Sequence, residues 1–143
     1  MRDTFIFETG AATHPGLVRE INEDSLVARP EAGLWAVADG MGGHHAGDVA
    51  SALIAEQLQD VAPDEAMDAR VDAALQSLQR ANAALCRLAD ERGGLVGSTV
   101  AVLVAGDDGY ACLWSGDSRI YRVDQDGIAQ LTRDHTVVED LVE

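Results

Sequence analysis

Between residues 48 and 92 the chain carries two helical patterns in succession, flanked on both sides by short strand-like runs, and this order limits the folds open to it. Val49, Leu53, Ile54, Leu58 and Val61 recur at helical spacing from Asp48 until Pro63 interrupts them. A second helix is expected from about Asp64 to Arg92, with Met67, Val71, Leu75, Leu78, Leu85 and Leu88 on one stripe and Gly93-Gly94 as its stop. Before them, Phe5 to Phe7, Leu26 to Ala28 and Leu34 to Ala38 are short apolar runs separated by Gly, Pro, Asn and Asp. After them, strands are expected at Thr99 to Ala105, Tyr110 to Trp114 and Ile120 to Val123, with turns at Asp107-Asp108-Gly109 and Asp126-Gly127. Two adjacent helices do not make a βαβ alternation. The expected architecture is α+β, with antiparallel sheets and helices packed on a face.

At 143 residues this is room for one domain with a sizeable core, and 47% apolar with 24% charged residues is ordinary globular composition. A net charge of -15 repels nucleic acid, and no Lys/Arg cluster offers a basic patch, so nucleic acid is excluded as a partner. The acidity suits divalent cations, and equally a solvated surface. The opening residues lack the apolar stretch of a signal peptide, and no apolar run approaches the ~20 residues of a membrane span, so the expected location is the cytoplasm. Cys86 and Cys112 stand alone in apolar surroundings and are expected to be buried, reduced thiols.

The stretch richest in chemistry is Leu34 to Gly47, in which an apolar strand runs into Asp39-Gly40-Met41-Gly42-Gly43. An aspartate held at a strand end presents oxygen to a hard cation, and adjacent glycines let the backbone approach, so that the Gly40 carbonyl can also serve as a ligand. The same pattern also reads as a sharp turn whose Asp caps the next segment. Arg19 precedes Glu23 and Asp24 at a strand boundary; arginine is the fork that grips phosphate oxygens, and it equally pairs with acids at a surface. Asp117, in Trp114-Ser115-Gly116-Asp117-Ser118-Arg119, is an acid in a tight turn after an apolar strand.

With Gly97-Ser98-Thr99 and Leu131-Thr132-Arg133-Asp134-His135-Thr136, these blocks resemble, in order, the motif series of metal-dependent serine/threonine protein phosphatases of type 2C, in their bacterial form. The resemblance spans nearly the whole chain. It implies a two-sheet antiparallel β-sandwich with helices outside both sheets and the site at one end. It further implies that Asp39 bridges two Mn²⁺ or Mg²⁺ ions and Gly40 offers its carbonyl, while Glu23 and Asp24 hold metal-bound waters. Arg19 would bind the substrate phosphate, and Asp117 would be a ligand for a third, weaker ion. The implied reaction is hydrolysis of phosphoserine or phosphothreonine on proteins by a metal-activated water, without a phosphoenzyme and opposite a partner kinase.

Two departures qualify that picture. The family carries two further metal-ligand aspartates, in an Asp-Gly and a later Asp-Asn, and neither is found before Glu143; Asp126-Gly127 looks like a hairpin turn. The expectation is therefore a single, truncated domain over 1–143, inactive by itself. Met41 also stands where some members carry a histidine proposed as general acid, and His44 and His45 are expected only to order the loop. Two rival readings are a phosphatase-like regulatory domain that binds a partner without turnover, and a nucleotide-binding module built on Gly40 to Gly43. The second suffers from Asp60 falling at a helix end rather than at the tip of a parallel strand.

Overall fold

The computed structural model describes residues 6–43 and 46–135. Seven strands and two helices follow in the order β1 (Asp24–Arg29), β2 (Leu34–Gly42), α1 (Ala46–Leu58), α2 (Met67–Arg92), β3 (Val96–Ser98), β4 (Val100–Ala105), β5 (Tyr110–Ser115), β6 (Tyr121–Asp124) and β7 (Gly127–Gln130). A five-stranded sheet runs β1-β2-β4-β5 with β3 also on β2, and β6-β7 form a second, two-stranded sheet. Every pairing is antiparallel. The α+β expectation is met, and the alternation needed for a nucleotide-binding module is missing: Asp60 lies in a turn and the next element is α2.

Period-two alternation sorts the large sheet into two faces. Val27, Ala36, Ala38, Val100, Val102 and Val104 form a core with Ala50, Ile54 and Leu58 of α1 and Ala74, Ala81 and Leu85 of α2. On the other face lie Trp35, Val37, Ala101 and Leu103, partly covered by residues 9–12 and by Ile120. Phe7 meets Trp35 edge to face at 5.0 Å, and the Trp35 indole N–H donates to Thr9 Oγ1 at 2.9 Å. Phe7 and Thr9 thus strap this face of the sheet, Ile6 is exposed, and neither Ile6 nor Phe7 forms the expected strand; Phe5 lies outside the described residues.

Several boundaries differ from the sequence reading. Helix α1 starts at Ala46, two residues early, and ends at Leu58, where the Arg29 guanidinium donates to the carbonyls of Leu58 (3.1 Å) and Val61 (2.7 Å). A cation there satisfies the orphan carbonyls of a helix C-terminus. Helix α2 begins at Met67 and ends, as expected, at Gly93, whose left-handed φ of 69° closes the last turn onto Ala89 O. Its buried line is Arg70, Ala74, Ser77, Ala81 and Leu85, whereas Leu75 is 44% exposed. Small side chains at the centre let α2 sit close to its neighbours, and the leucines flank that contact. Cys86 projects from the outer face of α2 and is exposed, while Cys112 on β5 is half-buried, so neither is the fully buried thiol expected.

Candidate functional site

Strand β2 does not stop at Ala38 but continues through Asp39 to Gly42, because β3 extends the sheet by pairing Gly40 with Ser98 and Gly42 with Val96. Asp39 is therefore held inside a strand. Across the other edge of β2 the register places Asp24, the first residue of β1, directly opposite Asp39. Directly opposed residues in an antiparallel pair bring their side chains together on one face. Two carboxyls that the sequence separates by fifteen positions thus stand side by side.

Asp24 is set in place by its neighbours: its N–H donates to Asn22 Oδ1 at 3.0 Å, and the Asn22 amide donates to Thr13 Oγ1 at 2.7 Å. The Asp39 N–H donates to Thr99 Oγ1 (3.0 Å), and the Thr99 N–H donates back to Asp39 O (2.9 Å). The Thr99 hydroxyl also shares a hydrogen bond with Ser118 Oγ at 2.6 Å, beside Asp117. Asn22, Thr99 and Ser118 were not singled out individually in the sequence, since a hydroxyl or amide that props a carboxylate has no spacing signature.

Gly40 is buried, and its N–H donates to Glu23 O at 2.9 Å. A side chain at Gly40 would collide with the Gly47 carbonyl, and one at Gly47 would collide with the Glu23 carboxylate. This three-way approach of β2, α1 and residue 23 is what the two glycines permit. The Glu23 carboxylate consequently lies against the first turn of α1, where a negative charge is favoured. Ser51 of α1 donates to Glu23 O at 2.7 Å and shares a 3.0 Å hydrogen bond with Ser25.

The closeness of the carboxyls has an electrostatic consequence. Asp39 is held above the usual carboxylate range, first by partial desolvation of its carboxyl, then by the charge of Asp24, a hydrogen bond with Asp24 and the charge of Asp117; Arg19 opposes these. Asp24, Asp39, Asp117 and Arg19 therefore share one electrostatic neighbourhood. Glu23 is not among the groups acting on Asp39. A cleft of about 320 Å³ opens beside Asp24, Asp39 and Ser118, and His14, which sequence reasoning passed over, lines it too. The His14 Nδ1 accepts from Gly16 N–H at 2.9 Å, which leaves Nε2 as the ring's other hydrogen-bonding atom. His44 and His45 lie outside the described residues.

The donor set fits a hard divalent cation: carboxylate oxygens, no sulfur, and mutual repulsion that a cation would relieve. Among the described residues, no three His, Cys, Asp or Glu side chains converge into a complete set of ligands.

The sequence profile described as Protein phosphatase 2C matches residues 11–141. The chain belongs to the protein phosphatase 2C family. It is 38% identical over 145 aligned residues to the serine/threonine protein phosphatase PstP of Mycobacterium tuberculosis, an alignment that covers 99% of this chain and 28% of PstP. It is 31% identical to the serine/threonine phosphatase stp of Listeria innocua, covering 91% of this chain and 55% of that protein. Among solved structures it superposes on PppA, a regulatory component of the type VI secretion system of Pseudomonas aeruginosa, with a TM-score of 0.86 and 42% identity. That match covers 92% of this chain and 57% of PppA. It also superposes on the catalytic domain of PstP in complex with two manganese ions, with a TM-score of 0.78 and 35% identity over 92% of this chain and 57% of that one. The chain thus spans between about a quarter and three fifths of the length of these relatives. No helix among the described residues is long and apolar enough to cross a membrane.

Proposed function

We propose that this chain carries part of the site of a metal-dependent phosphatase acting on phosphoserine and phosphothreonine in proteins. The observation that carries the reading is the pairing of Asp24 with Asp39 across β1 and β2, with Asp117 and Arg19 in the same field, in a chain of the 2C family. Two Mn²⁺ or Mg²⁺ ions, with a third near Asp117, would supply charge neutralisation at the phosphoryl group and a water acidic enough to attack it. Asp39 is the proposed shared ligand, with the Gly40 carbonyl beside it. Asp24 is the proposed holder of ordered water at the same ions. Glu23 is proposed for the same duty, with its carboxylate against the first turn of α1 and its carbonyl accepting from Gly40 N–H. Arg19 is the proposed fork for the substrate phosphate, drawn to the site by the three acids.

The manganese-bound PstP domain and the phosphatase names of the relatives support this reading. A partner serine/threonine kinase and a cytoplasmic setting complete the proposal.

The test is hydrolysis of p-nitrophenyl phosphate and of a phosphothreonine peptide by the intact protein. Activity should need Mn²⁺ or Mg²⁺ and vanish in Asp39→Asn, and Arg19→Ala should raise KM. Full activity in excess chelator, or in Asp39→Asn, defeats the proposal. Residues 1–143 alone should turn over neither substrate, because the two further aspartates implied by the family are not among them.

A further inference from the structure

Thr99 occupies an unusual place in the sheet. The registers Val37↔Ala101 and Gly40↔Ser98 carry through to set Thr99 opposite Asp39, in the gap between β4 and β3. A regular ladder there would exchange two backbone hydrogen bonds. Only one is made: Thr99 N–H donates to Asp39 O, whereas Asp39 N–H turns to the Thr99 side-chain hydroxyl. The Thr99 carbonyl instead accepts from Ser98 Oγ at 2.7 Å.

The same hydroxyl reaches Ser118 at 2.6 Å, and the Thr99 methyl fills the space beside Gly116, where an added Cβ would come within 2.7 Å of Cγ2. Thr99 thus touches both flanks of Asp117. From the far side the turn is fixed by His135, whose N–H donates to Gly116 O (2.9 Å) and whose Nδ1 accepts from Gly116 N–H (3.2 Å). One oxygen atom therefore joins the strand that bears Asp39 to the turn that bears Asp117.

We propose that Thr99 is a positioning residue that sets Asp39 and Asp117 relative to each other, so that both can face divalent cations in one site. This rests on the metal reading above and adds to it a residue that touches neither metal nor substrate. A hydroxyl with one donor and two acceptor sites can serve Asp39 N–H and Ser118 together, which a methyl in its place could not do. Groups that orient metal ligands tune affinity without binding the metal themselves.

The experiment is an Mn²⁺ titration of the intact protein, with free Mn²⁺ followed by electron paramagnetic resonance, alongside thermal melting. Thr99→Val removes the hydroxyl at nearly constant volume and should weaken Mn²⁺ binding at least about tenfold. Thr99→Ser keeps the hydroxyl, loses the methyl against Gly116, and should restore affinity although it melts lower than wild type. Ile54→Val, a core change in α1, should lower melting and leave Mn²⁺ affinity alone. Unchanged affinity in Thr99→Val, with binding lost in Asp39→Asn, overturns the positioning role while the metal site stands. A loss in Thr99→Val that Ser does not restore, or that Ile54→Val matches, also overturns it and leaves Thr99 a packing residue. Unchanged binding in Asp39→Asn overturns both the inference and the metal reading.

Discussion

At the Leu34 end of β2 the buried Arg70 of α2 donates to the carbonyls of Ala32 (2.6 Å), Ala105 (2.9 Å) and Glu65 (3.1 Å). At the Asp39 end, Asp24 and Asp117 act together on one carboxyl, and Arg19 is the cation that opposes them. Both ends hold charge against a strand, but only the first supplies it with partners from its own backbone. The cleft around Arg70 is also lined by Glu31, Asp64, Glu65, Asp68 and Asp107. Internal compensation of this kind locks β2, β4 and α2 together. The Asp39 end keeps a repulsion that the chain itself leaves standing, which is the expected arrangement where stability is given up for ligand binding.

The comparison predicts opposite responses to neutralising each end. Arg70→Met takes the charged donor from three carbonyls, one of those hydrogen bonds buried and two part-buried, and should cost on the order of 3 kcal/mol in urea unfolding. A loss under about 1 kcal/mol would show that Arg70 is dispensable, since that is no more than one ordinary hydrogen bond. Gly47→Ala should come next, at about 1–3 kcal/mol, because its new methyl displaces the Glu23 carboxylate and also meets the Gly40 backbone carbon at 2.9 Å, which cannot turn aside, so α1 must shift from β2. It should also weaken Mn²⁺ binding, which Arg70→Met should not do in the molecules that remain folded.

Asp39→Asn should, in chelator at neutral pH, leave stability unchanged or raise it slightly. The sign follows from the direction of the shift: a carboxyl held above its unfolded value is penalised when ionised, and the penalty is relieved as pH falls through the folded value. The advantage of the variant should therefore shrink as the solution is acidified. Saturating Mn²⁺ should reverse the order, because only the wild type gains from binding. A destabilised Asp39→Asn in chelator at neutral pH would mean that Asp39 is a structural aspartate and that the two ends do not differ in kind.

The asymmetry between the ends also explains what could be read from sequence. Asp39, Asp24, Asp117 and Arg19, which the structure brings into one neighbourhood, could be picked out as candidates because they sit in short blocks whose order resembles a known series. The α+β class was legible from the apolar periods, the Gly, Pro, Asn and Asp that separate them, and the succession of two helices. Arg70 was not, since it lies on a helix among charged neighbours and its burial depends on Ala32 and Ala105, distant in sequence. The axis of α2 was misplaced for the same reason: leucines mark an apolar face, but Ala74, Ser77 and Ala81 take its centre through close packing. Strand β3 escaped because three residues containing a glycine have no periodicity, and β7 because Gly127-Ile128-Ala129-Gln130 offers a single large apolar residue.

The smallest effect belongs to a charge pair that is neither buried nor left in repulsion. Arg119 donates to both oxygens of Asp134, with Nη2 at 2.6 Å from Oδ2 and Nε at 2.9 Å from Oδ1, and it also reaches the Tyr121 hydroxyl. Those hydrogen bonds hold the Asp134 carboxyl below its usual range, with the charges of Arg119 and His135 acting in the same sense. A carboxyl shifted down stabilises the fold above its unfolded value, and the contribution is lost as pH falls through the folded value. Asp134→Asn should therefore melt slightly below wild type at neutral pH and low salt, and the two curves should converge on acidification. Asp39 responds to acid in the opposite direction, but it is common to both proteins and cancels in the difference. At about 1 M salt, where screening acts over ~3 Å, much of the gap should close because the Arg119 side chain faces solvent and Asp134 is partly exposed. A gap that survives both acid and salt would mean that Asp134 acts through its place beside His135, as a brace for the Gly116 turn, and not through its charge.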